Sequence, residues 1–103
     1  MNFETGKLYK CSDYYLLVYP SAEKASTMAS WANAYATPGW AEHYVNYWSK
    51  ELNCQVRCLD PGDPMLFIEE TKIDGRTYFR FLFPEFEGWI NWNNWLNFKE
   101  IKP

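Results

Sequence analysis

Histidine is nearly missing from this chain: His43 is the single imidazole in 103 residues, beside three cysteines. Nucleophilic catalysis needs a thiol or hydroxyl next to a base. Here Cys54 and Cys58 alternate with Val56 as small inward residues of a strand, and His43 falls on the polar face of a helix. That arrangement predicts buried, reduced thiols and no thiol–imidazole pair. A zinc site is excluded on the same reading, because residues four apart on a strand are separated by about 13 Å. The five glycines are scattered, with no G-x-x-x-x-G-K loop to cradle a phosphate. Carboxylate pairs occur at Asp60/Asp63, Glu69/Glu70 and Glu85/Glu87. The first belongs to a turn, the second points to opposite faces of a strand, and the third reads as solvated loop acids. The expectation is a non-enzymatic chain with no catalytic residue, no cofactor and no metal.

Other absences bear on location and partners. No apolar run approaches the ~18 residues that span a bilayer, and Met1 to Gly6 carries no basic, apolar leader. An odd cysteine count without a leader suggests a reducing compartment, read as the cytoplasm. Positive charge is not concentrated either. The net charge is −3, with four basic and five acidic side chains in residues 1–52 and six and eight in residues 53–103. Duplex nucleic acid and anionic membrane surfaces are both disfavoured as partners.

What the chain does have is aromatic side chains, six Trp, eight Tyr and seven Phe, or 20% of the sequence. That exceeds what a small core holds and implies that some line a surface. Its length predicts one domain over residues 1–103.

Residues 6–10 and 14–19 read as strands, the second buried and ended by Pro20. Composition then shifts. Ser21 is a candidate N-cap for an Ala-rich helix to Ala36, and Thr37-Pro38 signals a second start. Ala41, Tyr44, Val45, Trp48 and Leu52 form the apolar stripe of that helix, with His43, Asn46, Lys50 and Asn53 opposite. A helical hairpin over residues 21–53 is the expectation. Period-two patterning resumes at Cys54. Strands are expected at 54–58, 64–70, 76–83 (Thr77, Phe79, Phe81 and Phe83 facing one way, Arg76 and Arg80 the other), 88–91 and 96–101. Turns fall at Asp60 to Asp63, at Asp74-Gly75 and at 92–95.

The order Gly62-Asp63, Leu66 to Ile68, Asp74-Gly75, Tyr78 to Phe83, Gly88-Trp89-Ile90 and Trp95-Leu96 leading into Phe98 to Ile101 resembles an SH3-like barrel of the bacterial SH3 type over roughly residues 59–101. The resemblance implies an α+β fold, a small SH3-like β-barrel with an inserted helical hairpin. Leu8-Tyr9 partly echoes the N-terminal aromatic motif of that family, and Asn91 stands where its peptide-binding members carry proline. It also implies a binding edge formed by the helical turn before the last strand, the loop ahead of the Gly-aromatic strand and the N-terminal aromatic loop. In this chain that edge would carry Trp89, Trp92, Trp95, Tyr9 and Glu85, with Asn91, Asn93 and Asn94 supplying hydrogen bonds.

Two further readings concern the tryptophans and the helices. The three Trp could instead pack beneath the helices. Trp31, Tyr35, Trp40, Tyr44, Tyr47 and Trp48 read chiefly as packing of the hairpin on the barrel, the alternatives being a partner-binding face or a homodimer seam. The functional expectation is a module that docks on a protein partner through an aromatic surface. The rival is RNA or single-stranded nucleic-acid binding by Trp and Tyr stacking, with Arg57, Arg76 and Arg80 as its cations.

Overall fold

The structure, a computed structural model, describes residues 3–27, 35–37, 39–91 and 98–102. Among these residues it is an α+β arrangement of mostly antiparallel strands with two helices. In chain order the elements are β1 Leu8–Cys11, β2 Tyr15–Val18, α1 Ala22–Ser26, β3 Tyr35–Ala36, α2 Ala41–Leu52, β4 Arg57–Leu59, β5 Met65–Ile73, β6 Arg76–Leu82, β7 Glu87–Asn91 and β8 Phe98–Glu100. Two sheets result, one ordered β7-β6-β5-β1-β8 and one ordered β3-β2-β4.

β2 is where the two sheets and two cores meet. Its side chains alternate across the pleat. Leu16 and Val18 enter an inner cluster with Tyr9, Cys11, Met65, Phe67, Phe79, Phe81, Phe83 and Ile90. Leu17, with Tyr19 just beyond the strand, enters an outer cluster with Ala22, Ala25, Trp48, Leu52, Val56 and Tyr78. A strand covered on both faces reads as an unbroken apolar run, which is how residues 14–19 read in the sequence. Tyr19 then bridges Trp89, each amide donating to the other's carbonyl at 2.8 Å. Gly88 makes that approach feasible, because a Cβ there would lie 2.5 Å from Val18 Cγ1 and 2.7 Å from the Tyr19 carbonyl oxygen.

The helical hairpin is corrected. α1 keeps its expected cap, with Ser21 Oγ accepting from the Lys24 amide at 3.1 Å, but it stops at Ser26. Ser26 and Thr27 both turn their hydroxyls onto the Glu23 carbonyl (2.8 and 3.0 Å), the local competition that makes such residues poor helix continuers. Residues 28–34 lie outside the described set. Tyr35 and Ala36 are not helical: they pair with Tyr15 and Leu16 at the free edge of β2.

α2 also begins later than Thr37-Pro38 suggests. Gly39 takes φ +94°, which is outside the helical region, and Ala41 is the first helical residue. The far end closes as the sequence implies. Asn53 adopts φ 50°, ψ 49°, its amide bonds Lys50 O and the Cys54 amide bonds Ser49 O, a Schellman closure. Lys24 Nζ donates to Leu52 O at 2.8 Å, tying α1 to the negative end of α2.

In the strands, Phe79, Phe81 and Phe83 are buried on one face, with Arg76 and Arg80 on the other. Cys54 and Cys58 depart from expectation. Both are half-buried, because Cys54 belongs to the helix closure rather than a strand, and the buried positions of this stretch are Val56 and Leu59. Cys11 is the buried cysteine, and all three thiols are free. No helix among the described residues is long and apolar enough to cross a membrane.

Candidate functional site

The five residues singled out from the sequence do not share one environment. Tyr9 is a core group: it is buried in the inner cluster with its ring edge-on to Phe81, and its hydroxyl accepts from the Glu4 amide at 2.7 Å. It therefore offers no ring to solvent, because β1 turns it inward together with Cys11. Trp89 is half-buried and packs against the outer cluster, on the side roofed by the helices. Glu85 is exposed and lines a small cleft of about 270 Å³ with Cys58, Leu59, Asp60, Asp63, Pro84 and Phe86. That volume is slightly below the ~300 Å³ at which small-molecule pockets begin. Trp92 and Trp95 lie outside the described residues, as does Trp31.

The thiols are poor nucleophiles. Burial pushes the Cys58 thiol up to about 11, and the charge of Asp60 adds to the shift. Burial also raises Cys54, with Lys24 opposing. At neutral pH both stay protonated, and the thiol is not the reactive form. His43 sits on the exposed side of α2, remote in sequence from both. Among the described residues no group of three His, Cys, Asp or Glu side chains could hold a metal ion.

The feature the sequence reading grouped differently is on α2. In the sequence Trp40, Tyr44, Tyr47 and Trp48 read chiefly as packing, with a partner-binding face or a homodimer seam as the alternatives, and His43 reads as a solvated polar residue. Trp48 is buried and Tyr44 half-buried, while Trp40 is 55% and Tyr47 47% exposed. Positions 40, 43, 44 and 47 recur at i, i+3, i+4 and i+7, so their rings form one continuous stripe. Trp40 meets His43 edge-on at 5.6 Å and lies tilted against Tyr44 at 6.2 Å. His43 stacks on Tyr47 at 6.4 Å, and Tyr47 meets the buried Trp48 edge-on at 5.0 Å. Offset and edge-on contacts of this kind hold rings in place without a core around them. The stripe is thus anchored through Trp48 and presented outward through Trp40, His43 and Tyr47. The signal that separates the two sets was present in the sequence: at 3.6 residues per turn Tyr47 points about 100° away from Trp48.

Of the three cations named for stacking chemistry, Arg76 is exposed and the other two have contacts within the chain. Arg57 lies over the Phe86 ring at 5.2 Å, and Arg80 pairs with Glu69 and Glu87 at 3.2 and 2.7 Å. Compared with protein families, curated sequences and solved structures, the chain matches no family model, no curated protein and no solved structure.

Proposed function

We propose that this chain is a non-enzymatic protein-interaction module whose docking surface is the aromatic stripe Trp40, His43, Tyr44 and Tyr47 of α2, held on an SH3-like scaffold and acting in the cytoplasm. The observation that carries the reading is the exposure of Trp40 and Tyr47 on a helix whose neighbouring face is firmly docked. Aromatic side chains are the residues most enriched at binding hot spots, and rigid presentation keeps their ordering cost low. Two other observations support it. Burial raises the Cys54 and Cys58 thiols away from their reactive form, and the antiparallel order of β5, β6 and β7, with β1 joining β5 to β8, suits an SH3-like reading. Stacking on single-stranded nucleic acid is the weaker reading, since Arg57 and Arg80 are already committed within the chain, which leaves Arg76 as the one cation of the three without such a contact among the described residues, and the net charge is −3.

The test is the double variant Trp40→Ala, Tyr47→Ala. The partner is first identified by affinity purification on the wild-type chain, and its binding is then measured with both proteins pure. The expected result is binding weakened at least tenfold with an unfolding midpoint unchanged to within about 0.5 kcal/mol, as for surface sites. A lowered midpoint with intact binding would assign both rings to stability instead.

A further inference from the structure

The outer face of the five-stranded sheet is covered at one end and bare at the other. Tyr78 of β6 and Trp89 of β7 lie under the helices. Toward β1 and β8 an apolar row crosses the strands in register. Leu8 pairs with Leu66, and Leu66 with Leu82. Ile101 extends the row, its amide donating to Leu8 O at 2.8 Å. Directly paired residues share a face, so these side chains stand together. Leu8 is 40% and Leu82 46% exposed. Four strands at ~4.8 Å spacing make the band about 15 Å wide, the length of roughly three helical turns. At its β1 end it opens into a cleft of about 680 Å³ lined by Gly6, Lys7, Leu8, Glu100, Ile101 and Lys102.

Charge on this face is unbalanced in a particular way. Its carboxylates, Glu69 and Glu87, both pair with Arg80. Lys10 and Lys99 form no ion pair among the described residues. Lys10 and Lys99 are directly opposed across β1 and β8, on the same face as Leu8. Like charges facing each other across a ladder are destabilising. A local rule broken at an exposed site points to function rather than to stability.

We propose that this bare end of the sheet docks an amphipathic, acidic helix of another protein, with its apolar side chains on Ile101, Leu8, Leu66 and Leu82 and its carboxylates on Lys10 and Lys99. A sheet face is stably covered by a helix, α1 covers the other end of this face, and the two unpaired lysines select for negative charge. The surface is separate from the α2 stripe, and neither proposal depends on the other.

The probe is a labelled helical peptide with Leu at i, i+3, i+4 and i+7 and Glu on the flanks, compared with the same peptide carrying Lys for Glu, by fluorescence anisotropy. The expected result is that the Glu peptide binds at least tenfold more tightly than the Lys peptide. Lys99→Glu then weakens it at least tenfold without lowering the unfolding midpoint, because Lys10 now faces a carboxylate. Trp40→Ala leaves the peptide affinity unchanged. The proposal is overturned if neither peptide binds, if both bind alike, or if Lys99→Glu has no effect. It is equally overturned if phosphatidylserine vesicles bind in preference to the peptide and lose binding in Lys99→Glu, which would make the surface a membrane contact.

Discussion

Gly88 shows how one residue decides whether two sheets can touch. Its missing side chain leaves room for Val18 Cγ1 and the Tyr19 carbonyl, and the Tyr19–Trp89 amide exchange follows from that room. Gly88→Ala must displace backbone on β2, which no rotamer change can absorb. We expect a loss of about 1–3 kcal/mol, typical of overpacking, measured by urea unfolding; a loss under 0.5 kcal/mol would mean that β2 yields easily there. Asn91, two residues after Trp89 and therefore on the same side of β7, is buried, and neither its Oδ1 nor its Nδ2 finds a hydrogen-bond partner among the described residues. By its resemblance to SH3-like domains the sequence puts Asn91 where peptide-binding members carry proline, but it does not reveal that the amide is enclosed. Tyr9 teaches the same lesson in reverse. As the echo of a surface motif it read as a binding residue, whereas the pairing of Tyr9 with Met65 and Glu100 turns it inward. Which face a strand residue takes depends on register, and register depends on partners that are distant in the chain.

At the scale of elements, local signals were reliable where chain and tertiary structure agree. The stripe Tyr44, Val45, Trp48 and Leu52 predicted the docked face of α2, and His43, Asn46, Lys50 and Asn53 are exposed as the 3.6-residue period requires. The hairpin Met65–Ile73 to Arg76–Leu82 turns at Asp74-Gly75 as its turn residues signal. The Ala-rich segment misled because helix propensity is a weak prior beside an open strand edge. Tyr35 and Ala36 gain pairing with β2, and Thr37, preceding Pro38, is pushed toward extended backbone. The docking of α2 can be measured on a single side chain. Trp48 is buried between β2, Val56 and Tyr78, so Trp48→Ala should cost about 3–5 kcal/mol. Two turns earlier on the same helix, Trp40→Ala should cost under about 0.5 kcal/mol. Equal losses at the two positions would mean that the stripe is part of the core and not a presented surface.

At the scale of the whole molecule, the two clusters are less independent than their separate memberships suggest. β2 gives Leu16 and Val18 to the inner cluster and Leu17 to the outer one, followed there by Tyr19, and Tyr19 and Trp89 close the gap between the sheets through paired amides. The helices cannot undock without exposing one face of β2, and β2 cannot leave without opening both cores. Lys24 Nζ on Leu52 O adds a polar tie between α1 and α2 across the same layer. Local unfolding free energies in a protein range from near zero to the global value, in cooperative units. A shared strand should merge helix layer and sheet into one such unit. In native-state hydrogen exchange the amides of Tyr19 and Trp89 should therefore exchange at a free energy within about 1 kcal/mol of the slowest amides of β6, and those in the centre of α2 should follow them. If α2 amides exchange more than 2 kcal/mol below β6, the helix layer opens on its own, and the aromatic stripe would be carried by an element that detaches rather than by one fixed to the sheet.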